Sequence, residues 1–140
     1  MNDFTRSVEL LHKSLDVTSL RYQVSANNLS MSEVPNFKRS VVNFESELKR
    51  ALEAEKSNKG SESFQMTRTD PRHVSSDKPY SWHDVEPRRV LDYTTTSKAN
   101  GNNVDAETEA NNILQIQMQY RLLTQLTNFE FSQVNKVLKK

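Results

Sequence analysis

His73 and His83, with Asp77 and Asp84, are the side chains whose types come nearest to a metal site. They fall in the least apolar part of the chain, where a carboxylate or imidazole reads as a solvated loop residue. The third histidine, His12, lies off the apolar seam of its segment and reads as a surface residue. No nucleophile has a neighbouring base implied by spacing, so no catalytic constellation can be written. There is no Cys, which excludes disulfides and thiolate metal sites. With only Gly60 and Gly101, no glycine-rich phosphate cradle can form, and no cofactor is expected. A nucleic-acid surface could use Lys38-Arg39, Lys49-Arg50 and Arg88-Arg89, with Phe37, Tyr80 and Trp82 as stacking groups. Acidic residues are interleaved with them. Nineteen basic side chains nearly cancel eighteen acidic ones, leaving +1 and no basic excess. Neither an enzyme nor a nucleic-acid binder is expected.

The composition bounds the architecture. The 140 residues suit one ordinary domain, but only 34% are hydrophobic, and the mean hydropathy is -0.79. The core must be thin. No apolar run approaches the roughly 20 residues that span a bilayer, so no direct lipid binding is expected. The opening MNDFTRSVELLHKS lacks the basic start and apolar core of a secretory signal. If the chain leaves the cytoplasm, another route is expected.

Three segments differ in character, and their boundaries are placed at 1–33, 34–103 and 104–140. In the first, Phe4, Val8, Leu11, Leu15, Thr18, Tyr22 and Leu29 recur at spacings of three and four, with Ser25 filling one turn. This is a heptad seam, the pattern of a helix packed along another helix. Leu10, Val17, Leu20 and Val24 form a second stripe beside it. A helix from Asp3 to about Ser32 would be about 42 Å long. In the last segment, Asp105 is placed to cap a helix, with Glu107 and Glu109 at its positive end and Lys136, Lys139 and Lys140 at its negative end. Ile113, Ile116, Tyr120, Leu123, Val134 and Val137 trace a seam interrupted by Thr127 and Glu130, and Leu122, Leu126, Phe129 and Leu138 widen it. Its polar positions are amides rather than charges: Asn111, Asn112, Gln115, Gln117, Gln119, Gln125, Asn128 and Gln133. Amides can be hydrogen-bonded inside an assembly without desolvating a charge, so this helix is expected to be surrounded by other helices.

The middle is weaker. Asn43 to Lys56 suits a short charged helix with Phe44, Leu48, Ala51 and Leu52 on one face. From Ser57 to Asn103 apolar residues are few, and Pro71, Pro79 and Pro87 punctuate the stretch. Val90 to Thr95 reads as a strand. The fold class is therefore mainly α: long N- and C-terminal helices packed as a coiled-coil core, with a weakly ordered, partly extended middle segment.

The first helix must stop at SANNLSMSEVPNFKRS, residues 25–40. Pro35 removes a backbone donor and biases Val34 away from helical geometry. Pro35 and Asn36 suit the central places of a type II turn, which needs a positive φ at Asn36. Phe37 beside Lys38 and Arg39 suits a neighbouring surface through ring burial and charge. Asn27 and Asn28 are weak helix formers placed inside a helix. These seven residues, with Ile116, Tyr120, Leu123 and Leu126 of the last helix, are the expected assembly interface.

Ala26-Asn27-Asn28-Leu29 followed by Pro35-Asn36-Phe37-Lys38-Arg39 resembles the N-terminal signature of the flagellar rod and hook proteins. That signature reads Ala-Asn-Asn-Ile, then Thr-Pro-Gly-Tyr-Lys. Here Val34 stands for Thr, Asn36 for Gly and Phe37 for Tyr. Ala99 to Asp105, ANGNNVD, resembles the entry into the last helix of the rod proteins. Gln119 to Leu126, QYRLLTQL, resembles a stretch within that helix, and Thr67 to Val74 resembles their middle more loosely.

The resemblance implies a non-enzymatic structural subunit of the bacterial flagellar basal-body rod, close to the proximal rod. Such subunits stack helically through their terminal helices into a drive shaft within the periplasm. The implied partners are copies of the chain, other rod proteins, the membrane-embedded ring, a rod-base adaptor and the flagellar type III export apparatus. Export without a cleaved signal peptide is implied too. The alternative from the residues alone is a cytoplasmic helical adaptor or export chaperone that binds a partner helix.

Overall fold

The computed structural model describes residues 3–58, 70, 72, 81–95 and 98–139. His73, Asp77 and Tyr80, and the segment 67–74 apart from Asp70 and Arg72, lie outside the described residues. These residues fall into two compact units, residues 1–42 with 89–140 and residues 43–88.

The first unit is built on two helices, α1 (Asp3–Ser30) and α3 (Ala106–Leu138). They pack along one another, as their seams require. On α1 the buried residues are Val17, Thr18, Val24, Ser25 and Asn28. Phe4, Val8, Leu11, Leu15 and Leu29 are half-buried, while Tyr22 is exposed. On α3 Ile116 is buried, and Ile113, Leu123, Thr127, Glu130 and Val134 are half-buried in step with it. The hydroxyls of Thr18 and Thr127 donate to Ser14 O and Leu123 O of their own helices. That removes the desolvation cost of two polar seam positions. Far from the loops, Ser7 Oγ donates to Glu130 Oε1 at 3.1 Å. The rings of Phe4 and Phe131 meet there edge to face at 5.9 Å.

Asp105 caps α3, its carboxylate accepting from Glu107 N. The Thr108 hydroxyl holds this carboxyl below its usual range. Glu107 and Glu109 then sit in the first turn, where the helix dipole favours them. α1 ends at Ser30, two residues before the expected stop.

A two-stranded sheet pairs β1 (Ser40–Asn43) with β2 (Arg88–Leu91). The sequence offered no signal for β1. The strand expected at residues 90–95 is displaced toward Arg88, because Asp92 ends it. The Asp92 carboxylate accepts from the backbone N–H groups of Thr94 and Thr95 and from both hydroxyls, which closes a turn.

The second unit holds α2 (Glu45–Asn58) and a short 3₁₀ turn at Trp82–Asp84 that contacts it. Among its described residues, Phe44, Ala51, Trp82 and Val85 are buried. The charged outer face of α2 carries a Lys49–Glu53 pair at 3.9 Å and an Arg50–Glu47 pair at 3.8 Å. Exposed pairs of this kind add little to stability. Trp82 is buried, with its ring against that of exposed His83, so it offers no stacking face to a nucleic acid.

Candidate assembly site

Two loops from opposite parts of the sequence meet where α1 ends and α3 begins. The first is residues 31–39. Val34 O accepts from Phe37 N at 3.4 Å, and Asn36 has φ 59°, so the expected turn forms with Asn36 in the left-handed region. The second is residues 98–105, where Gly101 has φ 78°. Gly101 N donates to Lys98 O at 2.8 Å, and Lys98 N donates to Asn102 O at 2.6 Å.

Three asparagine carboxamides clasp these loops. Asn28, inside α1, donates to Ser40 O at 2.8 Å and accepts from Ser40 N at 3.0 Å. Both edges of its amide are used against one backbone residue. Asn102 places its Nδ2 among three carbonyls just past α1: Met31 at 2.8 Å, Ser32 at 3.1 Å and Val34 at 2.9 Å. All three carbonyls lie in the loop past Ser30, and Met31 O also accepts from Val34 N at 3.1 Å. Its Oδ1 accepts from Val104 N at 2.7 Å. Asn103 accepts from Arg39 N at 2.6 Å, just before β1, and donates to Asp92 O at 2.7 Å, just after β2. All three carboxamides belong to buried residues.

The electrostatic centre of the clasp is Arg39. Its Nε lies 2.5 Å from Glu109 Oε1, and its Nη1 lies 3.7 Å from Asp92 Oδ2. Glu109 is 1% exposed. Its Oε2 has no hydrogen-bond donor among the described residues, so Arg39 is the countercharge the structure supplies. Threonine hydroxyls and amides lower the Asp92 carboxyl to about 2, which keeps it an anion beside Arg39. Lys38 Nζ donates to Gly101 O at 2.8 Å, and Asn36 N donates to Asn100 O at 3.0 Å. The polar groups of Asn28, Lys38 and Arg39 therefore have partners within the chain. Asn27 and Phe37 are half-buried, and Pro35 and Asn36 are exposed.

The expected residues of α3 divide differently. Ile116 and Leu123 lie on the seam with α1, while Tyr120 and Leu126 are exposed at its borders. Beyond that seam, Leu114, Met118, Leu122 and Phe129 recur at spacings that place them on one face. All four are exposed, Met118 to 68%. From Ala110 to Phe129 the only charged residue is Arg121. A cleft of about 410 Å³ adjoins this region, lined by Thr18, Ser19 and Tyr22 of α1 and Ile116, Gln117, Tyr120 and Arg121 of α3. The surface available to a neighbour is thus apolar and amide-rich, and both helices contribute to it. No metal-binding group of three or more His, Cys, Asp or Glu residues occurs among the described residues.

The partners of the clasp, Ser40, Asp92, Asn102, Asn103 and Glu109, were not identified as site residues from the sequence. One signal was available: three asparagines in the six residues before the Asp105 cap, a run suited to holding backbone outside a helix. The targets of Asn102 in the first loop lie 68 to 71 positions away and leave no local trace.

No family model matches the chain. It is similar over its whole length to flagellar basal body rod protein FlgB of Borreliella burgdorferi, at 42% identity over 139 residues, covering 99% of this chain and 100% of that protein. The same protein of Borrelia hermsii is also 42% identical over 139 residues. That of Bacillus subtilis is 28% identical over 138 residues, covering 99% of this chain and 97% of the relative.

Proposed function

From a chain that belongs to the FlgB family of flagellar basal body rod proteins, we propose a structural subunit of the proximal rod that works by packing rather than by catalysis. The observation that carries this reading is the outer face of α3. Leu114, Met118, Leu122 and Phe129 form an exposed apolar row on a helix whose opposite side is already packed on α1. Apolar rows of this extent mark contact sites for other proteins. Copies of the chain and other rod proteins are the partners this face suits, with the membrane-embedded ring and rod-base adaptor beneath them. The chain reaches the periplasm through the flagellar type III export apparatus.

The expected interface residues take two roles in this reading. Tyr120 and Leu126, with Ile116 and Leu123 beneath them, form the helical contact. Asn27, Pro35, Asn36 and Phe37 present the loop beside it, and Asn28, Lys38 and Arg39 hold that loop in place. A cytoplasmic adaptor or chaperone would also expose a helix face, but the full-length relatives are rod proteins.

Fractionation tests the proposal. The chain is expected to copurify with detergent-extracted basal bodies, and its deletion is expected to stop rod formation and swimming. A chain that stays in the soluble fraction of cells with intact basal bodies would sink the proposal.

A further inference from the structure

A seam of apolar residues at heptad spacing does not by itself choose its register. Sliding one long helix past another by a turn, about 5.4 Å, brings another set of apolar residues face to face. Register is fixed where polar groups find partners in one alignment only. The pairing of α1 with α3 includes such points at both of its ends. The distal point is the Ser7–Glu130 hydrogen bond with the Phe4–Phe131 contact. The proximal point is the clasp, where Arg39–Glu109 and Lys38–Gly101 also cross and Asn102 bonds three carbonyls of the other loop at once. The Nδ2 of Asn102 sits among the carbonyls of Met31, Ser32 and Val34, and its Oδ1 holds Val104 N, two residues before α3 starts. One buried carboxamide thus ties the end of α1 to the beginning of α3.

The neighbouring glycine makes the seat narrow. A Cβ at residue 101 would lie 2.5 Å from Asn36 Oδ1, closer than real Cβ contacts allow, and Gly101 has a φ that other residues rarely adopt. The positive φ, rather than the contact with the exposed Asn36 side chain, is what makes this position costly to change.

We propose that Asn102 is the positioning residue that sets the axial register of α1 against α3, and that assembly depends on this register. The proposal rests on the rod reading for its second half only. Register matters because the cleft beside the apolar row is composite. Thr18 and Tyr22 come from one helix, and Ile116 and Tyr120 from the other. A slip of one turn would replace half of that surface and leave the helix content unchanged.

The chain has no cysteine, so paired cysteines can report the register cleanly. Ser7→Cys is combined with Cys at residue 126, 130 or 134, in the full chain, and each pair is treated with a short thiol cross-linker. With Asn102 present, the 7–130 pair is expected to dominate. With Asn102→Ala, the 7–130 product is expected to fall severalfold while the 7–126 or 7–134 product rises and the helical circular dichroism persists. Gly101→Ala is expected to give the same redistribution. Unchanged dominance of 7–130 in both variants would overturn the proposal. So would a loss of helix signal without slipped products, because Asn102 would then only stabilise the fold. In cells, the slipped variants are expected to be exported but not incorporated into basal bodies. Normal incorporation of a demonstrably slipped variant would overturn the dependence of assembly on register. A chain with Asn102 intact that never enters basal bodies would instead refute the rod reading, and the cross-link pattern would stand.

Discussion

The clasp and the outer face of α3 belong to the same compact unit but use opposite chemistry. In the clasp, buried amide, carboxylate and guanidinium groups meet partners inside the chain, down to a glutamate that is 1% exposed. On the outer face of α3, large apolar side chains stand in solvent with one arginine among them from Ala110 to Phe129. The difference separates two tasks. Groups that must be satisfied to fold are closed off within the chain. Groups whose burial stabilises contact with a neighbour are left open. Substitutions should therefore divide into those that change stability and those that change assembly.

The largest loss of stability is expected from Arg39→Ala. It strands the buried Glu109 carboxylate, and breaking a buried ion pair in this way costs about 3–5 kcal/mol. Chemical denaturation of the purified chain should show it, and a loss below about 1 kcal/mol would mean the pair is solvated. Asn28→Ala should come next. It leaves the buried N–H and C=O of Ser40 without partners, at about 1–3 kcal/mol for such groups. Gly101→Ala is smaller again. Placing a side chain in the left-handed region costs about 1–2 kcal/mol before the contact with Asn36 is counted. The outer face should behave in the opposite way. Met118→Gln and Leu122→Gln should move the stability of the isolated chain by no more than about 0.5 kcal/mol, as exposed substitutions do, yet abolish rod assembly and swimming. If they destabilise the isolated chain as much as Asn28→Ala does, that face is covered within the chain and the contrast fails.

The smallest effect concerns pH. The folded pKa of Asp92, about 2, lies below its ordinary value of 3.8. A depressed carboxyl adds stability that is present above the ordinary value and is lost as pH falls through the folded one. The turn at residues 92–95 should therefore hold at neutral pH and loosen between about pH 4 and pH 2. Thr95→Val removes the hydroxyl that lowers this carboxyl most and should raise the Asp92 pKa toward 3.8, followed by NMR titration of the carboxyl carbon.

Much of the fold was legible because it rests on local spacing. Seven-residue recurrence from Phe4 to Leu29 and from Ile113 to Val134 marks two helices that pack together. The Asp105 cap and the Pro35-Asn36 turn announce themselves by residue type. Strand β1 does not, because Ser40 to Asn43 lack both length and alternation, and their order depends on Asn28 and on β2. Asp92 was counted as strand because its neighbours favour strands, while its own carboxylate chose the turn. The site was legible in part. Asn27, Asn28 and residues 35–39 read as an interface from their types, and the amide run of α3 reads as suited to an assembly. What periodicity could not reveal is that Asn28, Lys38 and Arg39 have intramolecular partners. A hydrogen bond from Asn102 to Met31 is a fact about two loops, and neither loop encodes the other's position.

The near absence of charge on the outer face of α3 has a consequence for the conditions under which contacts through it persist. Attraction between ions weakens as salt shortens the screening length, to about 3 Å at 1 M. Contacts made by Leu114, Met118, Leu122 and Phe129 have no such dependence, and excluded salts such as sulfate strengthen them. Cooling acts the other way, because burial of apolar surface loses driving force as temperature falls. An assembly joined through this face keeps its strength when ionic strength rises and is weakest in the cold.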